Sequence, residues 1–325
     1  MNHLPRNTIL VGDALARLRG LPSASVDTVV TSPPYYMVRD YLVAGQLGLE
    51  DTVDGWVEGL RSVMAQVARV LKPSGSLWLN LADTYSRASR YGAPAKSLLL
   101  APERVLLVLS EDGWRVRNKA IWSKPNPLPS PVGDRLNTTY EFVYFLTRSR
   151  QYYFDLDAVR EPHATKRGRR AATALGRRPV WAGPLAGSQD GLRRARAAGQ
   201  PGHPLGKNPG DVWRIATRGF RGAHYATFPE ALVRRPILAG CPEAVCVDCG
   251  KPWRRTGNRE TPKPTCRCGT GSQPGLVLDP FMGTGTVAVV ARGLGRDWLG
   301  IELNPEFVRL ATARLGVDKP FTKAA

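Results

Sequence analysis

The chain has 325 residues, with 46 lysines and arginines against 27 aspartates and glutamates and a formal charge of +19. That length holds one sizeable α/β core with an insertion, or about two domains, and charge of this sign and size expects a polyanion, most simply nucleic acid. No uninterrupted apolar run is long enough to span a bilayer and no charged-then-apolar leader precedes Gly12-Asp13, which points away from a membrane protein and towards the cytoplasm.

Taken in order, Thr8-Ile9-Leu10-Val11 reads as a short strand that stops at Gly12-Asp13, with a helix over Ala14 to Leu18 behind it. The apolar, β-branched run Val26-Asp27-Thr28-Val29-Val30 predicts a second strand, and Thr31-Ser32-Pro33-Pro34-Tyr35 halts it abruptly. Proline lacks an N–H and has a fixed φ, so this loop presents carbonyl oxygens at set positions, a hydroxyl on one side and an aromatic face on the other. Such a loop suits an –NH2 group on a flat ring, as an extruded nucleobase offers, although the same residues also make plain turns. Carboxyl ends of strands are where open α/β sheets keep their ligands.

Residues 36–50 predict an ordered loop over that site. Trp56, Leu60, Val63, Val67 and Leu71 recur at helical spacing, and Lys72-Pro73-Ser74-Gly75 ends the helix, whose stripe is scaffold. A strand over Ser76 to Leu81, a helix from Pro94 to Glu111 and strands over Trp114 to Trp122 and Glu141 to Leu146 complete an alternation that predicts a doubly wound sheet. The proline-rich stretch Ser123 to Pro131 between the last two strands is either a contact to a DNA backbone or a rigid connection.

From His163 to about Gly210 the composition shifts: Arg167, Arg169, Arg170, Arg177, Arg178, Arg193 and Arg194 fall among many Gly, Ala and Pro with one acid, Asp190. Such a segment buries little, and arginine suits both phosphate and guanine. Five cysteines lie between 241 and 268. Cys246-x-x-Cys249 and Cys266-x-Cys268, each followed by glycine, resemble two knuckles of a structural tetrahedral zinc site, with Cys241 as a spare or alternate ligand and reduced, unligated thiols as the other reading. The second pair is one residue tighter than usual. Finally, Leu276-Val277-Leu278-Asp279 reads as a strand, Pro280 to Gly285 as a glycine-bearing turn and Thr286 onwards as a helix. The turn lets backbone approach a ligand, and Glu302 follows Asp279 by 23 positions at the end of another strand, near the spacing at which an acid takes ribose hydroxyls.

Thr31-Ser32-Pro33-Pro34-Tyr35 together with Asp279-Pro280-Phe281-Met282-Gly283-Thr284-Gly285-Thr286 resembles the signature pair of the β class of DNA amino-methyltransferases, across roughly residues 7 to 160 and 211 to 316. The resemblance implies a Rossmann-like S-adenosylmethionine-dependent sheet with permuted motif order. It divides the chain into a catalytic half (1–162), a basic target-recognition segment (163–210) carrying the seven arginines, and a cofactor-binding half (211–325) with a zinc-ribbon-like insertion (241–269). It assigns catalysis to Ser32, Pro33, Pro34 and Tyr35. To the cofactor it assigns Asp279, Phe281, Gly283, Gly285, Thr286 and Glu302, with Asp13 near the adenine and Thr227 and Phe228 at the methionine end. Asp13 reads equally as a helix cap and Phe228 as helix-start packing.

What the resemblance implies chemically is direct transfer to an exocyclic amine, whose hydrogens bond to the Ser32 hydroxyl and the Pro33 carbonyl. Serine in the first position of this loop is associated in the family with cytosine's 4-amino group, and adenine's 6-amino group is the alternative. Double-stranded DNA is the expected partner, with a cognate restriction endonuclease and a homodimer among the family's habits. Two rivals stay open: a non-enzymatic zinc-ribbon DNA-binding protein, and a methyltransferase of RNA or of a protein amide.

Overall fold

The computed structural model describes residues 4–163, 203–217, 228–255 and 261–317. Two compact units divide the chain, residues 1–155 with 211–325, and residues 156–210. In the larger unit the strands, in chain order, are β1 (Thr8–Val11), β2 (Val26–Thr31), β3 (Leu71–Leu81), β4 (Arg115–Ser123), β5 (Tyr140–Thr147), β6 (Val212–Arg214), β7 (Val245–Cys246), β8 (Ser272–Gln273), β9 (Leu276–Asp279) and β10 (Asp297–Glu302). Helices α1 (Ala14–Arg19), α2 (Val53–Val70), α3 (Ala101–Glu111), α4 (Glu230–Gly240), α5 (Thr286–Gly293) and α6 (Pro305–Leu315) connect them.

Eight strands form one sheet in the order β1-β10-β9-β2-β3-β5-β4-β6, while β7 and β8 pair separately. Every ladder of the large sheet is parallel except the two that β5 makes with β3 and β4. Strands covered on both faces need apolar side chains throughout, and β2, β9 and most of β3 are buried along their length. Leu77, Leu79 and Leu81 face α1, α2 and α3, while Trp78 between them faces Leu232, Val233 and Pro236 of α4. Helices thus lie on both faces.

The alternation of strands and helices stands as the sequence predicts, and β5 runs antiparallel to both neighbours, a direction the local pattern leaves open. A reversed strand brings its first residues, Tyr140 and Glu141, to the end of the sheet where β2 and β3 finish. Thr52 caps α2 by accepting from the Gly55 N–H at 3.1 Å, and Trp56, Leu60, Met64 and Val67 repeat at helical spacing with no exposure. Each contributes about 1.5–3 kcal/mol by leaving water. The helix ends at Val70, not within Lys72–Gly75. Leu71 already pairs with Val26, and Lys72 reaches the buried Asp27 carboxylate at 2.7 Å, so those residues are drawn into β3.

The helix expected from Pro94 begins instead at Ala101. Residues 84–99 fold back on themselves through Ser86 N–H to Ser97 O (2.8 Å) and Leu99 N–H to Thr84 O (3.0 Å), which consumes the bonds a helix would need. Asp83 then accepts the N–H groups of Leu100 and Ala101 and starts α3. In the smaller unit, Asp157–Val159 forms one 3-10 turn, Arg160 pairs with Asp157 at 2.6 Å, and Glu161 bridges to Lys207. Arg167, Arg169, Arg170, Arg177, Arg178, Arg193 and Arg194 lie outside the described residues, as does Thr227.

Candidate active site

Adjacent positions of β2 and β9 in the sheet bring together two loops that are far apart in the chain. Thr31, the last residue of β2, donates its hydroxyl across 248 positions to Asp279, the last residue of β9, at 2.7 Å. The same Asp279 oxygen accepts the Phe281 N–H at 3.1 Å, so one buried carboxylate joins both loops. Burial pushes its carboxyl up to about 7, with Glu302 nearby adding to the shift. On the other side, the Trp56 indole N–H donates to the Pro34 carbonyl at 3.0 Å and anchors the proline turn to the core helix.

Beyond β9 the chain turns on Gly283 and Gly285, whose φ values of 53° and 80° belong to the left-handed region, and α5 follows at once. Glu302 ends β10 and accepts backbone N–H groups from Gly283 (2.7 Å) and Asn304 (2.8 Å). Its carboxyl is raised by burial, against these hydrogen bonds. Asn304 caps α6 through the Glu306 N–H and donates to the Tyr41 carbonyl, and Tyr41 meets Phe307 edge-on at 5.9 Å. Residues 36–50 therefore fold over the site, tied to α6.

These elements enclose one open cleft of about 850 Å³, counted to its mouth. Gly12 and Asp13 line it from β1, Ser32 and Pro34 from β2, Phe281, Met282, Gly283, Thr284 and Thr286 from the turn, Glu302 and Phe307 beyond, and Phe228 from before α4. Asp13 is at once a lining residue and the cap of α1, accepting from the Ala16 N–H at 2.8 Å. Pro33, Tyr35, Asp279 and Gly285 are not among the residues that line the cleft. Flat apolar faces, two acids at the adjacent ends of β1 and β10 and the Thr284 hydroxyl, which is buried and has no partner among the described residues, make the cleft suited to a nucleoside-bearing ligand.

Behind Ser32 lies a polar cluster that the sequence motifs do not reveal. Ser32 Oγ is 3.0 Å from the Tyr35 hydroxyl, which bonds to Glu141 Oε2 (2.8 Å) and Asn80 Oδ1 (3.0 Å), and Lys124 pairs with Glu141 Oε1 at 2.5 Å. Asn80 and Glu141 come from β3 and β5, and Lys124 follows β4. No local sequence signal marks them, since only the reversal of β5 puts Glu141 at this edge. At the far end of the sheet, Cys246, Cys249, Cys266 and Cys268 present sulfurs within 4.8 Å of one another. Gly250 and Gly269 have φ of 67° and 70°, and the Gly250 N–H closes the first turn on Cys246 O at 3.0 Å. Cys241 is no alternate ligand: it is fully buried at the end of α4, outside the group.

A parallel sheet with a ligand cleft across the ends of adjacent strands, and a Ser-Pro-Pro-Tyr loop in its wall, matches one family model. The model, described as DNA methylase, aligns with residues 26–313. The chain belongs to that family: it is a DNA methyltransferase. Among its relatives, the Type II methyltransferase M.Cfr9I of Citrobacter freundii is 34% identical over 330 residues, 95% of this chain and 87% of that protein. M.SmaI of Serratia marcescens is 32% identical over 329 residues, 94% of this chain and 90% of that one. Of solved structures, PvuII DNA methyltransferase (cytosine-N4-specific) matches with a TM-score of 0.60 at 20% identity, covering 98% of this chain and 89% of that one. TTHA0409 of Thermus thermophilus, solved in complex with S-adenosyl-L-methionine, matches at 0.55 and 23% identity, covering 95% and 93%. Both share this fold.

Proposed function

We propose that the protein transfers a methyl group from S-adenosylmethionine to the 4-amino group of cytosine in duplex DNA, with the base turned out of the helix. The observation that carries this reading is Ser32 lining the same cleft as Phe281, Gly283 and Glu302, so a base against Ser32 lies beside whatever the turn holds. The cofactor fits this chain's residues: Glu302 and Asp13 suit ribose hydroxyls and an exocyclic amine, Phe281 and Phe307 suit a flat ring, and Thr284 offers a hydroxyl with no partner among the described residues. S-adenosylmethionine, when bound, supplies an electrophilic methyl group.

Ser32 Oγ and the Pro33 carbonyl accept the two amine hydrogens, which returns the nitrogen lone pair from the ring and lets it act as a nucleophile. No covalent intermediate on the protein is required, so orientation and electrostatics carry the rate. Serine at position 32 and the likeness to a cytosine-N4-specific enzyme support cytosine, and the Thermus complex supports the cofactor. Arg167, Arg169, Arg170, Arg177, Arg178, Arg193 and Arg194 would contact the duplex, and Type II relatives support a partner endonuclease of the same specificity. The four clustered cysteines would hold a structural zinc ion, with all four positions taken by sulfur.

The direct test offers labelled S-adenosylmethionine with duplex DNA, structured RNA and protein in separate reactions. Label is expected in duplex DNA. Label in RNA or protein alone contradicts the reading.

A further inference from the structure

We propose that Glu141, with Asn80, is a positioning residue that holds Ser32 as a hydrogen-bond acceptor towards the target amine, and that the proton shed by that amine passes through Ser32 and Tyr35 to the Glu141 carboxylate. This rests on the amino-methyl-transfer reading above. An ionised carboxylate only accepts. Glu141 takes the Lys124 ammonium on Oε1, and the Tyr35 hydroxyl and the Asn80 amide N–H (3.1 Å) on Oε2. Asn80 Nδ2 donates also to the Phe142 carbonyl at 2.9 Å, which fixes the amide so that its oxygen faces Tyr35 at 3.0 Å.

The Tyr35 phenol has one hydrogen and meets two acceptors, so its oxygen can only receive from its remaining neighbour, Ser32 Oγ at 3.0 Å. Burial, and then the Glu141 charge, holds the phenol well above its ordinary value, so it stays protonated and donates. The chain of bonds therefore runs one way, from Ser32 to Tyr35 to Glu141. With its hydrogen turned inward, Ser32 leaves its lone pairs for the cleft.

Methylation forms an N–C bond from the amine's lone pair and breaks the C–S bond, whose electrons stay on sulfur. The nitrogen is left cationic and must lose one proton. Ser32 Oγ takes that proton as its own moves to Tyr35, and the Tyr35 proton moves to Glu141, which becomes a neutral acid beside Lys124. Glu141 and Lys124 side chains are only 12% and 20% exposed, so solvent does not compete freely for this step.

Glu141→Gln keeps the shape but places an amide where the carboxylate stood, so the Tyr35 proton has no base to receive it and the path from Ser32 is cut. Single-turnover transfer to duplex DNA at saturating cofactor should fall about 10- to 100-fold, with cofactor Kd and DNA Kd unchanged. Tyr35→Phe should fall similarly, and adding Glu141→Gln to it should change the rate by less than about twofold, because the path is already cut. A Glu141→Gln rate within about threefold of wild type overturns the proposal, as does a full multiplicative loss in the Tyr35→Phe background. Should Glu141→Gln not fold, Tyr35→Phe decides alone by the same threefold limit. A wild-type enzyme inactive on DNA amino groups overturns the parent reading and this one together, whereas active wild type with indifferent variants overturns this one alone.

Discussion

Ser32 and Asp279 divide the labour of the site, one facing the cleft and the other holding its two loops in register. Removing the Ser32 hydroxyl takes away one oriented acceptor and the head of the bond chain to Tyr35. Ser32→Ala is therefore expected to lower the single-turnover rate by about 10²–10³, with cofactor affinity changed only a few-fold, since the turn after β9 and Glu302 supply most of the cofactor wall. Equal loss of rate and cofactor affinity in a binding and quench-flow comparison would contradict that role. Asp279 behaves differently because it is 3% exposed. Its folded-state value, about 7 against an ordinary 3.8, means the folded protein holds this proton more tightly than the unfolded chain. The stability it gives is present below about pH 4 and lost as pH rises through about 7. Asp279→Asn should accordingly gain stability relative to wild type between about pH 5 and about pH 8, by more than about 1 kcal/mol in urea titrations. No change in that difference would show that the burial cost is met elsewhere. Ser32 is legible from the sequence only with the turn over residues 279–286, because a serine before two prolines also makes plain turns and the second motif is what singles it out. Glu141 is not, because an acid at a strand start looks like any solvated residue until the strand's direction is known.

At the scale of elements, local pattern places β1, β2, β9, β10 and α2 because each carries its own period or stop signal. It fails where a long-range bond overrides the local pattern: Lys72 is pulled into β3 by Asp27, and Pro94–Leu100 is held in a folded-back loop by Thr84 and Ser86. The reversal of β5 is invisible for the same reason. Strand direction is fixed by which neighbours its backbone meets, and the Ser123–Thr139 connection allows either sense. The cysteine insertion is the element whose sequence signal and geometry agree most closely, two glycine-ended turns with sulfurs converging. One zinc per chain is expected by elemental analysis, lost in Cys266→Ser, and a chelator should lower Tm by more than about 5 °C, because metal bound only by the folded chain adds its binding energy to stability. Metal-free protein with an unaltered Tm would contradict a structural ion.

Across the whole molecule, sheet order does what chain order conceals. The Ser-Pro-Pro-Tyr loop comes early and the Gly-x-Gly turn late, yet β2 and β9 are neighbours, and one carboxylate clasps them. The excess of 46 basic over 27 acidic residues is readable at once as an appetite for a polyanion, but composition does not say which, and the family supplies DNA. Whether this cleft methylates cytosine at its 4-amino group is decided by treating duplex DNA with the enzyme and S-adenosylmethionine, digesting it to nucleosides and weighing them by mass spectrometry. The expected product is 4-methylcytosine, reduced with Ser32→Ala; 6-methyladenine in its place would contradict the assignment of the base while leaving the fold and the amine chemistry intact.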